Sequence, residues 1–149
     1  MEPKHWGKFV WTSIHIIALG YPDKPTLLDK ENYKEFLTNF WKVIPCYKCS
    51  QNYQVHLKEL PIDEYLTDNL SLFEWTVKLH NIVNKQLGKN EWTLEEARTK
   101  FSRIAKGQDE TFVSVDSGWD KIIRYSTTGL VVGLAVTILF FFVKKTSRK

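Results

Sequence analysis

"NLSLFEWTVKLHNIVNKQLG" (residues 69–88) decides the fold of this chain. The stretch opens on a polar capping candidate, runs to about residue 87 without proline, and stops at Gly88, so it predicts a long helix. On that helix Val77, His80 and Asn84 share one face, because positions four apart lie one above the other. Asn81, Lys85 and Lys89 follow the next stripe. Downstream, Thr93 with Glu96 three residues later forms a capping box, which predicts a short further helix over "TLEEARTKFSRIAK".

Working upstream, residues 46–60 read as a helix that Pro61 closes, with Cys46 at its start. Residues 30–44 read as another, with Tyr33, Phe36, Leu37, Phe40 and Trp41 turned inward, after a Pro/Asp/Lys loop reaching about Asp29. "HWGKFVWTSIHIIALG" (residues 5–20) is helical in period. It places Val10, Ile14 and Ile17 on one face and Gly7, Trp11, His15 and Ala18 on the neighbouring stripe. No strand pattern competes. The expected fold is all-α: a four-helix bundle plus a short fifth helix, followed by a C-terminal transmembrane helix.

That last element is the stretch 122–143, within which no charged residue occurs from Tyr125 to Val143. Nineteen helical residues reach roughly 28 Å, the thickness of a bilayer's hydrocarbon core. Arg124 can snorkel, Trp119 and Tyr125 mark one interface, and a basic tail, 144–149, follows. Gly129 and Gly133 form a weak helix-association motif. The chain thus divides into a domain, 1–106, a polar linker, 107–121, the span and the tail. A net charge of +4 is spread without a basic stripe, so no nucleic-acid partner is expected.

Only two cysteines occur, Cys46 and Cys49, in "IPCYKCSQNY". A secreted disulfide framework needs more, and no signal peptide precedes them. Zinc requires four ligands, and His5, His15, His56 and His80 stand at no finger-like spacing; no metal is expected. A thioredoxin-type site requires a strand before the pair. What remains is a dithiol at a helix N-terminus, where the helix dipole and Lys48 favour a thiolate. With no second pair to receive two electrons, a cofactor is the natural sink. The competing reading is a membrane-anchored helical interaction module with a non-catalytic CxxC.

Gly7, Lys8, Trp11, His15, Ala18, Tyr21 and Pro22, then Pro45, Cys46 and Cys49, then His80, Asn81, Val83, Asn84, Leu87, Gly88 and Lys89 together resemble the Erv/ALR family of FAD-linked sulfhydryl oxidases. Three motifs in order across residues 5–105 are far more specific than CxxC alone. The resemblance implies a thiol oxidase that holds FAD noncovalently and makes disulfides in a thioredoxin-like or other dithiol protein, with O2 reduced to hydrogen peroxide. It implies Cys46 as the outer sulfur, attacked by substrate, and Cys49 next to the flavin. Trp11, His15, Tyr21, His80, Asn81 and Asn84 surround its rings, Lys85 and Lys89 face its pyrophosphate or adenosine end, and Trp92 lies over it. Gly7, Lys8 and Val83 complete the cofactor-binding set.

The chain departs from the family's pattern in three respects. Lys8 stands where the family has arginine, so a bidentate phosphate contact is not expected there. No cysteine follows Cys49, so the family's structural disulfide is missing, and neither terminal region holds a shuttle pair, so a separate dithiol protein is expected to deliver electrons. A homodimer, as the resemblance implies, is then noncovalent. The layout is closest to the compact oxidases encoded by large DNA viruses. A C-terminal anchor without a signal peptide points to a single-pass protein with its enzyme domain on the cytosolic side of a host or virion membrane.

Overall fold

The computed structural model describes residues 1–109, of which Met1–Gln108 form one compact unit. Five helices follow one another: α1 (Pro3–Leu19), α2 (Leu27–Asn39), α3 (Tyr47–Glu59), α4 (Asn69–Gln86) and α5 (Leu94–Ala105). Short 3₁₀ turns at Phe40–Val43 and Asp63–Tyr65 join α2 to α3 and α3 to α4. The all-α expectation stands, and no strand occurs among the described residues.

The central helix is α4. It buries Leu72, Phe73, Trp75, Thr76, Val77, Leu79 and Asn84, a face too wide for one neighbour. It packs against α1, which turns Ile14, His15 and Ala18 inward, and against α5, which supplies Ala97, Phe101 and Ile104. Asp68 caps it, its carboxylate accepting from Ser71 N at 2.8 Å. At the other end Gly88 turns to φ 63°. That left-handed residue lets Lys89 N donate back to Asn84 O at 2.9 Å and ends the helix.

Polar side chains tie the remaining elements to this core. Asn69, the first residue of α4, donates its amide to Leu19 O and to Tyr21 O at 3.0 Å, satisfying carbonyls at the end of α1. Tyr53 of α3 donates to Leu37 O of α2 and Trp75 of α4 donates to Leu60 O, each at 3.0 Å.

Two local expectations are corrected. The second helix begins at Leu27, not at residue 30, and becomes 3₁₀ at Phe40. Thr26 and Asp29 form a reciprocal capping box, so Asp29 lies inside the first turn and not in the loop. Of the residues expected to face inward there, only Leu37 is fully buried, while Phe36 is 44% exposed. No described helix is long and apolar enough to cross a membrane. The expected span at 122–143 and the tail lie outside the described residues, as does the linker from residue 110 on.

Candidate redox and cofactor site

The two cysteines are joined as a disulfide, with Cα atoms 5.2 Å apart, at the amino terminus of α3. Pro45 precedes them, and Cys46 has extended backbone at φ −144° and ψ 111°, outside the helix proper. Its sulfur takes the place a serine oxygen would hold at an N-cap. Cys49 N donates to Cys46 Sγ at 3.2 Å, while Ser50 N donates to Cys46 O at 2.9 Å to start the helix. The Cys49 N–H and the positive end of the helix dipole therefore meet at the Cys46 sulfur, a setting that favours a thiolate. Both cysteines are half-buried, but their neighbours are not: Tyr47 is 82% and Val43 70% exposed.

A second set of groups lies where α1 and α4 meet. The Trp11 indole stacks on the His80 imidazole, centroids 4.1 Å apart and planes within 2° of parallel. His15, 1% exposed, sits behind them with Phe101 against its ring at 4.1 Å. Its Nε2 is 3.0 Å from His80 Nδ1, and its Nδ1 is 2.9 Å from Thr76 Oγ1. Burial pushes His15 down to about 3, aided by His80 and Lys100. Burial, with Lys89 and Lys100, pushes His80 down to about 4. Both rings are therefore neutral near pH 7.

A third set follows α4. Asn81 spends its amide on the backbone of Trp92, donating to the carbonyl at 2.8 Å and accepting from the N–H at 2.9 Å. This clasp fixes the Trp92 ring, over which Lys100 Nζ lies at 4.4 Å. Beside it is a hollow of about 410 Å³ lined by Asn84, Lys89, Asn90, Glu91, Trp92 and Glu96.

The structure thus joins Trp11 to His15 and His80, and Asn84 to Lys89 and Trp92. Asn81 acts through Trp92. Tyr21 is used elsewhere: it is 2% exposed, donates to Leu66 O at 3.0 Å, and sets its ring against Tyr33 at 4.7 Å. Val83 is half-buried on α4, whereas Lys85 and Lys8 are exposed. A Cβ built at Gly7 meets nothing within 4 Å, so no protein contact demands glycine there. Sequence reading missed Thr76 and Lys100. Thr76 was findable, since Thr76, His80 and Asn84 repeat every four residues. Among the described residues no three His, Cys, Asp or Glu side chains gather as a metal site, and His56 is buried with Nδ1 3.4 Å from Glu59.

The Erv1 / Alr family matches residues 8–103. The chain belongs to that family. It is 44% identical over 98 residues to an Acanthamoeba polyphaga mimivirus protein named "Probable FAD-linked sulfhydryl oxidase R368", covering 65% of this chain and 68% of that one. It is 30% identical to the FAD-linked sulfhydryl oxidase ERV1 of Arabidopsis thaliana, covering 66% of this chain but half of the plant protein. The crystal structure of the FAD-binding domain of Erv1 from Saccharomyces cerevisiae superposes with a TM-score of 0.64 at 28% identity, over 73% of this chain and 99% of that one. The yeast Erv1 core gives 0.63 at 27% identity, over 68% and 84%. Family membership and the five-helix fold agree, and the helix-capping cysteine pair gives the family's chemistry a place in this chain.

The donor set suits FAD. Trp11, His80 and Trp92 offer flat faces to flat rings, Asn84 offers an amide, and Lys89 offers a cation for phosphate.

Proposed function

We propose that this chain is an FAD-linked thiol oxidase that makes disulfides in a partner dithiol protein, of thioredoxin-like or other type, with O2 as the final acceptor. The observation that carries the reading is the Cys46–Cys49 disulfide capping α3 in a chain of the Erv1/Alr family.

A substrate thiolate attacks Cys46 Sγ, which its exposed neighbours leave reachable. The Cys46–Cys49 bond breaks, a mixed disulfide forms, and Cys49 leaves as a thiolate. The substrate's second thiol then attacks its own sulfur in the mixed disulfide. The substrate disulfide closes and Cys46 leaves as a thiolate into the Cys49 N–H and the positive end of α3. Bound FAD would supply a two-electron acceptor for the reduced pair, with O2 as the final acceptor and hydrogen peroxide as the product. Trp11, His80 and Trp92 would hold its rings, with His15 and Asn81 positioning them. Asn84 and Val83 would border it, Lys85 and Lys89 would meet its phosphates, and Gly7 and Lys8 in the first half of α1 would complete the set. Tyr21 secures the turn after α1 through Leu66.

The remainder of the chain is read from its sequence. Residues 1–106 are the oxidase domain, 107–121 a linker, and 122–143 a single membrane span with the basic tail, 144–149, beyond it. The enzyme domain faces the cytosol on a host or virion membrane, and the chain pairs as a noncovalent homodimer, without a nucleic-acid partner.

The purified chain should show flavin absorption near about 450 nm, set by the isoalloxazine ring, and dithiothreitol should drive oxygen uptake that Cys49→Ser abolishes. A folded, colourless chain that takes up no added FAD removes the oxidase reading. The full chain should float with phospholipid vesicles, and a 1–106 truncation should not.

A further inference from the structure

The contacts linking Thr76, His15 and His80 contain enough information to place every proton along them. Thr76 is wholly buried and its Oγ1 lies 2.7 Å from Phe73 O. A carbonyl oxygen only accepts, and two oxygens that close repel unless a proton lies between them. The single hydroxyl proton of Thr76 therefore points at Phe73. Toward His15, Thr76 has only lone pairs to offer.

The rest follows ring by ring. His15 Nδ1, 2.9 Å from Thr76 Oγ1, must carry a hydrogen to bond there. A neutral imidazole has one such hydrogen, so His15 Nε2 is an acceptor. His80 Nδ1, 3.0 Å away, must then be a donor, which leaves His80 Nε2 without a hydrogen. Both rings are neutral near pH 7, since burial, His80 and Lys100 depress His15 to about 3, and burial, Lys89 and Lys100 depress His80 to about 4. No imidazolium therefore supplies a second donor. The chain runs outward from wholly buried Thr76, through buried His15, to half-buried His80, whose ring carries the Trp11 stack.

We infer that Thr76 is a positioning residue of the cofactor site: by giving its one proton to Phe73 it fixes His15 and His80 as Nδ1–H tautomers and leaves His80 Nε2 to accept from a hydroxyl or amino group of the bound cofactor. The cofactor half of this statement rests on the thiol-oxidase reading above; the proton placement does not. The same arrangement makes His80 a poor proton donor at neutral pH, because its outward nitrogen carries none. Thr76 touches no ligand and acts only through the two rings.

The test is to label the full chain with ¹⁵N-histidine and read which ring nitrogen of each histidine carries the proton, with and without FAD. Both His15 and His80 should be Nδ1–H in the unaltered chain, and Thr76→Ser should keep them so. Thr76→Val removes the acceptor at His15 Nδ1, so both rings should change to Nε2–H together. FAD should then bind about tenfold more weakly than to Thr76→Ser, since an acceptor facing the ligand has become a donor. A proton on Nε2 of either ring in the unaltered chain overturns the inference, and that result does not require any variant to fold. Unchanged tautomers in a folded Thr76→Val chain overturn it as well. If the unaltered chain shows both Nδ1–H tautomers but takes up no FAD, it is the oxidase reading that fails, and with it the cofactor half of the inference.

Discussion

At the amino terminus of α3, the reactive sulfurs stand among exposed side chains and are steadied by one backbone N–H. Between α1 and α4 the polar atoms lie inside the core, and His15 is bonded at both of its ring nitrogens. The difference follows from what each region must meet. A disulfide that exchanges with another protein has to be approached by a sulfur along the bond, so nothing may cover it. Groups that hold a flat cofactor gain from being fixed in advance, since each rotamer already frozen is one that binding need not freeze. The first region is therefore specified by chemistry and the second by packing.

Substitutions at the two regions should separate activity from stability, and the largest effect belongs to the sulfurs. Cys49→Ser should abolish dithiothreitol-driven oxygen uptake while the melting temperature changes little, because the bridge closes a very short loop. A large loss of stability in that variant would erase the contrast.

Next is Trp11→Ala, which removes the face stacked on His80. Titration should show FAD affinity reduced by about one to two orders of magnitude, given the area an indole covers. Asn81→Ala acts through Trp92 and leaves two backbone groups without their partner, so it should cost about 1–3 kcal/mol in urea unfolding. FAD affinity should fall with it, while the half-buried cysteine pair still reacts with a small disulfide reagent at an unaltered rate.

Acid should also distinguish the regions. His15 and His80 have folded values below the ordinary 6.5, so as pH falls the unfolded chain takes up protons first. Their contribution to stability is whole above pH 6.5 and is lost as pH falls toward about 4 for His80 and about 3 for His15. Urea unfolding across that range should give a shallower pH dependence for His80→Gln. The carboxylates of Asp29, Asp68 and Glu96 are also held low, by hydrogen bonds, and set the slope that remains. Smallest of all, Asp68→Ala should cost about 1 kcal/mol by uncapping α4, without altering cysteine reactivity.

The sequence carried the helices because their stops are chemical: Gly88 admits a left-handed turn, and Thr93 with Glu96 closes a capping box. It carried the cysteine pair because only two thiols exist. Four-residue spacing set Trp11 with His15 on one helix and His80 with Asn84 on another, and the family resemblance put the two faces at one site. Spacing reports a face but not what that face meets, and the Pro/Asp/Lys composition before residue 30 hides the start of α2, which Thr26 and Asp29 set. Asn81 and Tyr21 join the cofactor set through the family resemblance, and neither motif shows what else these side chains bond. Their partners, Trp92 and Leu66, are backbone groups that residue identity does not reveal. Thr76 escaped because threonine inside a helix is common, and its part here depends on one carbonyl oxygen.

The sulfur cap on α3 also bears on redox poise. A backbone N–H and a helix terminus that receive Cys46 stabilise its thiolate more than the same sulfur in a disulfide. Whatever favours the reduced pair over the oxidised one raises its reduction potential, making the disulfide the stronger oxidant. The first turn of α3 is thus a driving force as well as a scaffold: it draws electrons from the substrate toward the protein.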